Sequence, residues 1–146
     1  MGLFHKLSKK NNDLLQSMQD YLTSYMAKYA RENPASMSNV AGIFANARMM
    51  INSLTEKDIK ELQKNRFAAD VCRSGVLNIL QNHAMSEIRS VDTKDLFFGN
   101  NDDDGAFDLY MAINEEKLNL GYINIDQYED NKRLGDCLRM GLRPII

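Results

Sequence analysis

The chain has 146 residues, 44% hydrophobic and 26% charged, with a net charge of -2. That length suits one domain with a real core, and the composition is that of a globular protein rather than a disordered one. The charge argues against nucleic acid as the main partner, because phosphate contacts need clustered Lys and Arg. Charge is uneven, however: residues 91–146 hold 12 acids and 6 bases, a local balance of -6.

Two cysteines, Cys72 and Cys137, do not make a disulfide framework. The first ten residues lack the apolar core of a secretory signal, and no apolar run is long enough to span a bilayer. A cytoplasmic location is the default expectation.

Residues 1–12 read as a flexible arm. Leu3, Phe4 and Leu7 alternate with His5, Lys6, Lys9 and Lys10, so residues 1–10 offer a weak membrane contact at most. The preferred reading is a terminus folded back on the protein. Asn12 is a suitable N-cap for a first helix. Leu14, Met18, Tyr21, Leu22, Tyr25 and Tyr29 then recur at three- and four-residue steps, and Pro34 ends the run. Three tyrosines on one stripe could mark a groove, but they more often edge a core with their hydroxyls toward water.

A second helix is predicted from Ser36 or Ser38 to about Leu54. Val40, Phe44, Ala47, Ile51 and Leu54 form its buried face, widened by Met49 and Met50. Thr55 with Asp58 approximates a capping box. From Thr55 to Arg89 the apolar rhythm of Ile59, Leu62, Ala69, Cys72, Val76, Ile79, Leu80 and His83 predicts a central helix; Arg66, Asp70 and Arg73 interrupt it, which suggests either a kink or break near Ser74–Gly75 or charges that pair with neighbouring helices. Leu96, Phe97 and Phe98 suggest one short turn.

Residues 99–105 are an acidic loop. Aligned on a calcium-loop pattern, Asn100, Asp102, Asp104 and Asp108 take ligand places, but Met111 stands where a bidentate Glu is required. The plainer reading, an acidic loop capping the next helix, carries more weight. Residues 107–113 alternate as a strand would, yet no partner strand offers itself and Glu115, Glu116 and Lys117 favour a helix. Residues 106–141 are read as a C-terminal helical hairpin, turning at Gly121 and restarting at Asn124, with Gln127 completing a capping box.

Gly121-Tyr122-Ile123-Asn124-Ile125-Asp126-Gln127-Tyr128-Glu129, followed by Lys132, resembles the short helical hairpin called the SHOCT domain, over residues 115–138. Asn124 stands in its capping place and Tyr128 in its aromatic place, while Ile125 departs from the acid usual there. The resemblance implies self-association or partner docking rather than catalysis.

For catalysis the residues offer little. Cys72 and His83 are eleven apart on one predicted helix, a rise of about 16 Å that forbids a hydrogen bond unless the helix breaks. Zinc needs Cys and His in clusters, phosphate needs a glycine-rich loop, and no cofactor site is read. The expectation is one all-α domain, a single compact bundle of five or six helices. It would bind a protein partner or form a homo-oligomer through Tyr122, Ile123, Tyr128 and Leu134 of the acidic hairpin. An ion-responsive module using residues 100–108 is the alternative, and an enzyme comes third.

Overall fold

Local chemistry sets where each helix begins and ends. The computed structural model describes residues 7–64, 70–88 and 105–141. These hold six helices: α1 (Lys9–Glu32), α2 (Pro34–Asn52), α3 (Glu56–Gln63), α4 (Val71–Glu87), α5 (Gly105–Asn119) and α6 (Ile125–Arg139). No strand occurs among the described residues, and residues 107–113 lie in the helix α5. The all-α bundle expected from the sequence is what the chain forms. The expected short turn at 93–98, most of the acidic loop and the start of the arm lie outside the described residues.

The first helix starts earlier than Asn12. Ser8 is its N-cap, its hydroxyl accepting from the Asn11 amide at 3.1 Å, so residues 9–12 form a helical turn rather than part of an arm. Glu56 secures this end, accepting from the Ser8 amide at 2.8 Å and from the Asn11 side chain. A single residue, Asn33, separates α1 from α2. Pro34 is the first residue of α2, where its missing N–H costs nothing, so α2 starts before the serines proposed as its caps.

Thr55 and Asp58 form a full capping box at α3. The Thr55 amide and hydroxyl both donate to the Asp58 carboxylate, at 2.8 and 2.9 Å, and hold its pKa below the usual value. The long central helix of the sequence reading is two helices. Its interruption falls between Gln63 and Val71, while Ser74 and Gly75 sit inside regular, buried α4. At Gly75 an added Cβ would meet Met18 Cε at 3.2 Å, so the glycine serves close packing of α4 on α1.

α4 is the centre, packed against α1, α2, α3 and α5. Val76, Leu77, Ile79 and Leu80 are all buried, and each such side chain contributes about 1.5–3 kcal/mol by leaving water. From α1 come Met18, Leu22, Tyr25 and Tyr29, from α2 Val40, Ile43, Phe44, Ala47 and Ile51, and from α5 Leu109, Tyr110 and Ile113. The tyrosine stripe runs into this core rather than along its edge: Tyr25 and Tyr29 are 5% and 2% exposed, and the Tyr29 hydroxyl meets Ser36 Oγ at 2.9 Å inside the protein. Tyr25 and Tyr29 each set their ring against Phe44, at centroid distances of 6.4 and 6.1 Å, while Tyr21 is half-buried. Met49 and Met50 do not widen the buried face of α2; they are 69% and 42% exposed.

Gly121, at φ 78°, ends α5. The Tyr122 amide donates to the Lys117 carbonyl and the Gly121 amide to Leu118, at 2.9 and 3.0 Å, the paired bonds of a Schellman turn. Asn124 and Gln127 then cap α6 reciprocally, at 2.9 and 2.8 Å. The hairpin expected at residues 106–141 is therefore built from the residues that suggested it.

Candidate functional site

α6 rests on α5 alone among the closely packed helix pairs, and its attachment is largely polar. Asn114, fully buried, donates to the Tyr128 carbonyl at 3.0 Å and accepts from the Asn131 side chain at 2.9 Å. The Tyr110 hydroxyl donates to the Asn131 carbonyl at 2.8 Å. The helices also approach closely: a Cβ at Gly135 would lie 2.8 Å from Tyr110 Cε1.

The four proposed partner contacts are mostly used inside the chain. Tyr122 is 8% exposed and belongs to the core, which withdraws it from any docking surface. Ile123, Tyr128 and Leu134 are half-buried, and Lys132 Nζ lies 5.4 Å from the centroid of the Tyr128 ring. What α6 displays is Asp126, Glu129, Asp130, Arg133 and Asp136, with Arg133 paired to Asp130 and exposed Ile125 and Met140 at the two ends.

Of the ion-loop residues, Asn100, Asp102 and Asp104 lie outside the described residues, and Asp108 is exposed in the first turn of α5. Among the described residues no three His, Cys, Asp or Glu side chains are grouped to hold a metal. Cys72 and His83 share the unbroken helix α4, so their separation along its axis stands. Cys72 and Cys137 are free and half-buried, and burial raises the pKa of the Cys72 thiol.

Two features were not anticipated from the sequence. Lys117 is 8% exposed; its Nζ donates to Gln81 Oε1 on α4, and burial pushes its pKa down to about 8. The second is the outer face of α2. Ser38, Gly42, Ala45 and Met49 follow one another at steps of four, three and four, all exposed, on the side of the helix opposite Val40, Ala47 and Ile51. Arg48 is the one charged residue of α2, and it is drawn onto α1. Its guanidinium donates to Gln19 Oε1 at 2.9 Å and to Thr23 Oγ1 at 2.8 Å. The outer face is thus left without charge and tipped by methionines. The spacing of Ala, Gly and Met around a single Arg was the available signal.

Comparison of the chain with family models, with curated proteins and with solved structures gives no match.

Among the described residues no helix is long and apolar enough to cross a membrane.

Proposed function

We propose that this protein is a non-enzymatic interaction module that associates with a second copy of itself through the outer face of α2. The observation that carries this reading is Gly42. Glycine in a helix interior costs about 1 kcal/mol relative to alanine. Gly75, Gly105 and Gly135 each face an atom of this chain within 3.2 Å of where a Cβ would stand, and Gly121 and Gly141 adopt positive φ. Gly42 has neither reason: nothing lies within 4 Å of its Cβ position. A helix from another molecule, approaching closely over Gly42 between Ser38 and Ala45, supplies one. A face without charge suits a copy of itself, because pairing brings no like charges together. One helix face against another is a small interface, so the dimer is weak and concentration-dependent.

The docking hairpin that the SHOCT resemblance implies remains a second reading, favoured by the one-sided support of α6. Its displayed acids would suit a basic partner segment, with Ile125 and Met140 as apolar ends. Both readings place the protein in a reducing cytoplasm, with Cys72 and Cys137 as thiols.

Sedimentation equilibrium over a wide concentration range tests the first reading. The native chain should show reversible dimerisation, and Met49→Lys should abolish it without lowering the melting temperature. A native chain that stays monomeric up to about 1 mM, which leaves less than ~4 kcal/mol of association energy, overturns it.

A further inference from the structure

Lys117 stands in the last turn of α5, yet only 8% of it is exposed. Gln81 meets it from α4 and is buried to the same degree. An ammonium has donors only, so it fixes which way the Gln81 amide turns: Oε1 must face Nζ to accept its N–H. The amide nitrogen is then left over. Gln81 Nε2 is buried and has no hydrogen-bond partner among the described residues. Oε1 and Nε2 hang from one carbon, so this unused donor lies beside the ammonium. The ammonium itself has three N–H groups, and Gln81 takes one of them.

No acid answers the charge among the described residues. Glu116, next to Lys117 on α5, is paired with Lys28 on α1 at 3.0 Å, and Glu115 is exposed. Glu87, the only acid of α4, is exposed six residues beyond Gln81. α2 packs on both helices and has no acid at all. The acids of α1, α3 and α6 are exposed, as is Asp108 at the far end of α5. Burial is accordingly what lowers the Lys117 pKa, with no carboxylate to hold it up. A charge taken out of water without a counter-ion opposes folding strongly.

Together the two side chains present an ammonium and an amide N–H, both short of acceptors, at the rim of the core. One positive charge matches one negative charge; a phosphate dianion would leave an excess. The slight exposure of each residue lets a small ion reach them and leaves no area for a large one. We propose that Lys117 and Gln81 bind a small monovalent anion, of the size of chloride or formate, which accepts from Nζ and Nε2 together and ties α4 to α5. α6 rests on α5, so the anion also secures the base of the hairpin. The site is complete within one chain and stands whether or not α2 dimerises.

Chlorine NMR of the full chain tests the proposal, with chloride exchanged for gluconate, which is too large for the site, at constant ionic strength. The chloride line should broaden, the broadening should saturate in the millimolar range, and formate should reverse it. Lys117→Met removes the charge, and Gln81→Glu supplies a resident carboxylate in place of the amide. Each should abolish the saturable broadening. Chloride should also raise the melting temperature of the native chain, because it binds the folded form alone, and leave that of both variants unchanged. Absence of saturable broadening up to about 100 mM chloride, broadening that persists in either variant, or a melting temperature that chloride moves equally in all three chains overturns the proposal.

Discussion

Lys117 is a long amphipathic side chain drawn under a neighbouring helix, its amine satisfied by Gln81 but removed from water. Its pKa is about 8 in the folded chain against an ordinary 10.5. Below pH 8 the lysine is charged in both folded and unfolded chains, and burial of that charge opposes folding. Between pH 8 and 10.5 the unfolded chain holds a proton that the folded chain has released, so this residue makes stability rise with pH there. Denaturant titrations should show the gain, on the order of 1–3 kcal/mol. In Lys117→Met that slope should vanish, with the variant more stable than the native chain at pH 7. A parallel pH dependence in the two proteins would assign the slope to other groups. Nothing in the sequence marks this lysine, because Glu115, Glu116 and Lys117 together look like a solvated helix surface. Periodicity identifies apolar positions, and only packing shows that the stem of a lysine fills one of them.

The glycines of two helices make opposite predictions at the scale of the element. Gly42→Ala adds a methyl to open space on α2, so it should stabilise the monomer by about 0.5–1 kcal/mol through helix propensity. Gly135→Ala drives a methyl into the Tyr110 ring, at 2.8 Å from Cε1, and should destabilise by about 1–3 kcal/mol, less the propensity gain. Thermal melts at low protein concentration read both. A Gly42→Ala that destabilises the monomer would show that the chain itself packs against that face. Element ends were the most legible part of the sequence: Thr55 with Asp58 and Asn124 with Gln127 are capping boxes in the structure as in the residue pattern. The division of the central stretch was misplaced, because Gly75 invites a break by propensity but is needed for close contact with Met18. The face of α2 was misread for a related reason. Methionine scores as apolar in any pattern, and Met49 and Met50 extended a core stripe that ends at Ala47 and Ile51.

At the scale of the whole molecule the three-to-four-residue rhythm was sufficient to give an all-α bundle around the stretch that became α4. It was silent on how unequally the helices share the core. α4 is enclosed by α1, α2, α3 and α5, whereas α6 depends on α5 and on the buried amide of Asn114. The amides of α6 should therefore exchange with deuterium through a sub-global opening, well before those of α4, which require full unfolding. Asn114→Ala should widen that gap by about 1–3 kcal/mol. Matching protection of the two helices in native-state exchange would mean that they open as one unit. With α6 released, the half-hidden Ile123, Tyr128 and Leu134 become free to meet another surface. The residues that looked from the sequence like a display would then be a reserve, reached only in the minority of molecules whose last helix has let go.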